Sequence, residues 1–146
     1  MVEPARYSEN SAAVQAHLNI AQSVIQRMAT NSTGCKAWCI TLVSAILVMV
    51  ADKGKPNYAL IAVIPAVLFL VLDTYYLALE RRFRDSYNSF IEKLHHGRVT
   101  SSDLYAVTPS GSALKSFGDA LLSFSIWPFY LTLGGMIWLA KCLVIP

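Results

Sequence analysis

Two apolar segments, residues 37–51 and 57–79, are joined by only five residues, Asp52-Lys53-Gly54-Lys55-Pro56. A connection that short permits a tight hairpin and little else, so the two segments must lie side by side and antiparallel. Each carries one charge of opposite sign, Lys36 at the edge of the first and Asp73 inside the second. Folding the chain back at Gly54 brings Lys36 level with Leu72, one residue from Asp73. An ionisable side chain within a membrane span is costly and faces a partner or a water-filled path. Two readings follow: a clamp that fixes the hairpin register, or a gate in which Asp73 lines an ion path.

Composition supports the membrane reading. The chain of 146 residues is 55% hydrophobic and 14% charged, against about 25% charged residues in a typical soluble domain. A single small soluble core cannot hide that much apolar surface. The net charge of +3 is too mild to argue for nucleic acid. The polar start MVEPARYSENSAAVQ predicts no signal peptide. Cys35 and Cys39, one helical turn apart, are held too rigidly to bridge, and with Cys142 they read as small hydrophobes.

The expected architecture is an all-α membrane protein: a long antiparallel transmembrane hairpin with a cytoplasmic stalk, plus a third, Pro-kinked hydrophobic helix. Its parts form a single membrane domain over 1–146: a cytoplasmic helix at 11–36, a first span at 37–51, a second at 57–79, its cytoplasmic extension at 80–96, a loop at 98–119 and a third span at 120–140. Pro65 is expected to kink the second span, and Pro128 with the Gly134-Gly135 pair leaves the third free to span or to re-enter. Arg6, Arg27 and Lys36 precede the first span, and Arg81, Arg82, Arg84, Lys93, Arg98 and Lys115 follow the second, nine of the twelve basic residues. Positive charge marks the cytoplasmic side, so the N-terminus is expected inside, and the C-terminus outside if the third segment crosses.

Outside the spans, apolar or small residues recur at heptad-like spacing: Val14, Leu18, Ala21, Ile25 and Met28 before the first span, and Tyr76, Leu79, Phe83, Tyr87, Phe90 and Leu94 after the second. Ser11 is placed to cap the first helix, and Gly97 to stop the second. The same fold at Gly54 sets Val14 level with Leu94 and Leu18 with Phe90, so the stripes form a stalk. Glu80 with Arg84, and Arg81 with Asp85, are supporting pairs one turn apart. A short helix is expected near residues 101–106.

Catalytic signatures are missing. There is no phosphate-binding glycine loop, metalloprotease pair or nucleophile elbow. Arg84 and His95 are too far apart for a short-spaced Arg/His ribonuclease pair. His17, His95 and His96 are too few for a metal site without further ligands and read as surface histidines. No enzyme and no cofactor is expected. The cluster Arg81, Arg82 and Arg84 serves as a cytoplasmic anchor, or receives anionic lipid or a nucleotide-derived ligand.

The stretches HLNIAQSVIQRMATNSTGCKAWCITLVSAILVMVA and LIAVIPAVLFLVLDTYYLALERRFRDSYNSFIEKL resemble small bacterial anti-phage membrane effectors of the SLATT type, and the membrane effector of the Hailong system. The resemblance implies a homo-oligomeric, multi-pass protein of the bacterial inner membrane. It would act as a pore or ion channel that depolarises the membrane, released by a nucleotide- or oligonucleotide-derived ligand or a soluble partner. The pore or gate residues would then be Lys36, Asp73, Ser44 and Thr41, with Asn57 at the outer mouth. The alternative is a non-conducting anchor or scaffold that docks a soluble partner through its stalk.

Overall fold

A computed structural model describes residues 7–143 of the chain. They fold into helices, with no strand among them. Helix α1 runs unbroken over Ala12–Lys53, about 63 Å at 1.5 Å per residue. Ser11 caps it: its backbone is extended and its hydroxyl accepts from the Val14 N–H at 3.3 Å. Asn31-Ser32-Thr33-Gly34 does not interrupt it. The Thr33 hydroxyl donates to the Ala29 carbonyl of its own helix, and the stretch holds no proline, so Gly34 costs the helix about 1 kcal/mol without breaking it.

The turn closes at Gly54, with φ of +60° and an N–H that donates to the Ala51 carbonyl. The chain then passes through a 3-10 helix at Pro56–Ala62 into α2, Val63–His95. Pro65 therefore stands in the first turn of α2, where its missing N–H costs nothing. The irregularity expected of it is taken up as this change from 3-10 to α geometry. Helix α2 ends at His96, and Gly97 follows with φ of +62°. The expected short helix after it is a single 3-10 turn, Ser101–Asp103.

The third hydrophobic segment departs from the single kinked helix expected over 120–140. It is divided between α3, Ala113–Leu121, and α4, Trp127–Leu143. Pro128 is the second residue of α4 and starts the helix rather than kinking it.

Three apolar clusters hold these parts together. Val14, Phe90 and Leu94 pack with Val99 and Leu104 at the open end of the hairpin, with Leu18 against them, as the level stripes require. Leu77 and Ala78 pack with Ala120 and Ile126 in the middle. Cys39, Val43, Ala59 and Ala62 pack with Leu133 and Ile137 of α4 toward the closed end. Helix α4 thus runs alongside the hairpin from its middle to its turn. Both α1 and the continuous stretch Pro56–His95 are long and apolar enough to cross a membrane. Their outer faces leave large apolar side chains uncovered, Trp38, Val48, Ile64 and Leu68 among them.

The left-handed backbone at Gly54 costs a β-carbon-bearing residue about 1–2 kcal/mol. Gly54→Val is expected to lose stability in that range, and Gly54→Asn markedly less, because Asn tolerates this conformation. Thermal unfolding in detergent, followed by circular dichroism, measures both.

Candidate functional site

Asp73 is the most deeply buried charge in the described chain, with no exposed surface. One carboxylate oxygen accepts a hydrogen bond from the Ser32 hydroxyl at 2.5 Å. The other lies 2.5 Å from Lys36 Nζ, whose side chain is 21% exposed. That second contact is a charge contact rather than an aligned hydrogen bond, since Oδ2 has no donor in hydrogen-bond geometry. Ser32 and Lys36 are one turn apart on α1, so both reach the same point on α2. Thr74, also fully buried, donates its hydroxyl to the Leu70 carbonyl at 2.7 Å within α2.

Tyr130 of α4 completes the cluster. Its hydroxyl is buried close to Asp73 and Cys39 without an aligned hydrogen bond. Sequence spacing could not find this contact, because nothing local fixes where the third segment returns. The other pore candidates do not converge here. The Thr41 hydroxyl donates to the Ala37 carbonyl of its own helix, Ser44 is half-buried farther along α1, and Asn57 is exposed at the turn.

The arginine cluster is divided in its roles. Arg81 donates to the Asp119 carbonyl at 3.2 Å and the Ser123 hydroxyl at 2.7 Å, tying α3 and its exit to α2, rather than pairing with Asp85. Arg82 donates to the carbonyls of Ser110, Pro109 and Gly111. Arg81 therefore fastens the end of α3, and Arg82 staples the loop before it. Only Arg84 is largely exposed, paired one turn back with Glu80. With Arg27 it lines an open cleft of about 1150 Å³ between the arms of the stalk, together with Gln22, Asn31, Tyr87 and Asn88. The Gln22 amide donates to the Tyr87 hydroxyl across it at 3.2 Å.

The opposite face of the stalk is covered by the loop. Ser86 donates to the Thr108 carbonyl, and Lys93 pairs with Asp103 at 2.7 Å. Asp103 also accepts from Thr100, and these partners draw its carboxyl down to about 2. His17 is not a surface histidine: it is 5% exposed and stacks on Phe90 with ring centres 4.1 Å apart. Its Nδ1 accepts the Tyr105 N–H at 3.0 Å, and Tyr105 is held there at φ of +64°. Among the described residues no group of histidine, cysteine or carboxylate side chains is arranged to hold a metal.

No known protein family, curated protein or solved structure matches the chain.

Two expectations follow from these contacts. Removing one member of a buried ion pair strands the other and costs about 3–5 kcal/mol, whereas replacing both with apolar groups is often neutral. Asp73→Leu is therefore expected to destabilise the hairpin strongly, and Lys36→Met with Asp73→Leu to recover most of the loss, as a double-mutant cycle of thermal unfolding measures.

Burial holds the His17 imidazole below its ordinary value of 6.5, against a weaker upward pull from Asp103. The neutral ring is the form that accepts from Tyr105, so the stabilisation is complete above pH 6.5 and declines as pH falls through the lowered folded value. The protection of the Tyr105 amide against hydrogen exchange, taken relative to the intrinsic rate at each pH, should fall over that window in the native chain, and should not change with pH in His17→Phe.

Proposed function

We propose that this chain is the protomer of a membrane-embedded homo-oligomeric effector or ion channel, in which the hairpin and α4 cross the bilayer and the stalk lies in the cytoplasm. The observation that carries the reading is the Asp73–Lys36–Ser32 cluster, a complete ion pair buried where the apolar part of the hairpin begins. Membrane proteins keep such groups for ion pathways, proton relays and gates. Within one protomer the pair is closed, so the cluster is a latch in the resting state. A protomer with three spanning helices is too small to enclose a pore, and its uncovered apolar faces suit lipid and neighbouring copies equally.

The open cleft on the stalk is the favoured point of control. Arg27 and Arg84 offer charge to an anionic ligand or a soluble partner, and the carboxamides around them offer donors and acceptors. A nucleotide-derived ligand fits that chemistry, as the resemblance to bacterial anti-phage effectors implies. The same cleft supports the second reading, a non-conducting scaffold that binds a soluble partner through the stalk. On either reading the chain has no enzymatic role.

Ion flux from dye-loaded proteoliposomes separates the two readings. The channel reading expects leakage from the purified protein, and a changed rate for Asp73→Asn, which keeps the size of the side chain and removes its charge. A protein that inserts and assembles yet never leaks, with or without nucleotides or cell extract, is a scaffold.

A further inference from the structure

A second cleft, of about 360 Å³, lies at the closed end of the hairpin between the last turns of α1 and the 3-10 helix. Its walls are apolar: Ile46, Met49, Val50 and Ile61. Val50 is buried, whereas Met49 and Ile61 are 64% and 51% exposed, so the cleft opens sideways from the hairpin. Lys53 and Lys55 stand at its rim with Tyr58. The Lys55 ammonium lies 5.5 Å from the centre of the Tyr58 ring, within the range at which a cation is held over an aromatic face. No carboxylate lines the cleft. Asp52 is exposed beside it in the sequence and offsets only one of the two positive charges.

We propose that this cleft binds one anionic glycerophospholipid, with an acyl chain along Ile46, Met49, Val50 and Ile61 and the headgroup phosphate between Lys53 and Lys55. The inference rests on the reading that the hairpin crosses a membrane. In that setting the closed end lies where apolar helix gives way to charge, the depth at which lysine stems lie along apolar surface and their ammonium groups reach the headgroups. Tyrosine favours the same depth. An apolar wall below two cations is complementary to a lipid and to little else available there. A second copy paired about a two-fold axis would bring both lysine pairs together and meet repulsion.

The test uses the full chain in bilayer discs of equal parts phosphatidylglycerol and phosphatidylcholine, released into native mass spectrometry. Flotation with vesicles of the same composition comes first: a chain that does not float overturns the membrane reading and this inference together. For a chain that floats, phosphatidylglycerol adducts should outnumber phosphatidylcholine adducts. They should fall about fivefold for each of Lys53→Gln and Lys55→Gln, the worth of one cation near anionic lipid, while phosphatidylcholine adducts stay constant. Met49→Trp, which fills the cleft without touching charge, should reduce both. Equal retention of the two lipids by the native chain overturns the site while leaving the membrane reading intact, as does phosphatidylglycerol retention unchanged in the double lysine variant.

Discussion

The burial of Asp73 is the constraint around which the other contacts are arranged. A carboxylate with no exposed surface loses its hydration, and that loss is tolerable only with an opposite charge and hydrogen-bond donors at close range. Lys36 and Ser32 meet the need from one face of α1. The apolar stripes alone would not fix the pairing. Leu, Ile, Val and Phe at heptad-like spacing pack nearly as well after a slip of one repeat, whereas such a slip would strand the carboxylate. The long hairpin takes its adhesion from its apolar stripe and its register from one polar cluster.

That register decides what the rest of the chain can do. Arg81 and Arg82, a short distance beyond Asp73 on α2, point at the returning chain and saturate its free carbonyls at residues 109–111 and 119. Loop carbonyls without helix or sheet partners need such donors, and guanidinium groups supply several at once. Helix α4 is thereby delivered at the level of Asp73, where Tyr130 approaches the carboxylate, and continues beside Cys39 and Val43 to the turn. Positive charge in this stretch thus has two roles. It suits the cytoplasmic side of a membrane on the proposed topology, and it fastens the third segment in place.

The hairpin was legible because its signals are local or depend only on one turn. The five-residue link and Gly54 set the fold-back point, and residues equidistant from that point met as arithmetic requires: Val14 with Leu94, Lys36 with Asp73. The third segment was not legible. Its break at residues 122–126 carries no proline or glycine, and is set by where Ala120 and Ile126 pack on Leu77 and Ala78. The burial of His17 was missed because the loop that covers it and donates the Tyr105 N–H is placed by nothing local, although the fold-back set Phe90 nearly level with it. Arg81, Arg82 and Arg84 looked like one cluster in the sequence, but successive helical positions face different directions, so two are structural and one faces the open cleft.

The two arms of the stalk give a physical route from that cleft to the buried pair. A ligand can bias a conformational equilibrium only by as much as its affinities for the two states differ. The cleft is lined from both arms, by Gln22 and Arg27 on α1 and by Arg84 and Tyr87 on α2, so sliding one arm along the other reshapes it. The Gln22–Tyr87 bond and the Lys36–Asp73 pair are cross-links between the same two continuous helices. They are separated by fourteen residues on each arm, about 21 Å at 1.5 Å per residue. No break interrupts either helix between them, so on the proposed reading a displacement along the arms at the cleft would be carried toward the carboxylate. On the proposed reading, a ligand that holds the arms in their present register would keep Asp73 paired, and one that favours a shifted register would draw Lys36 and Ser32 away from a fully buried charge.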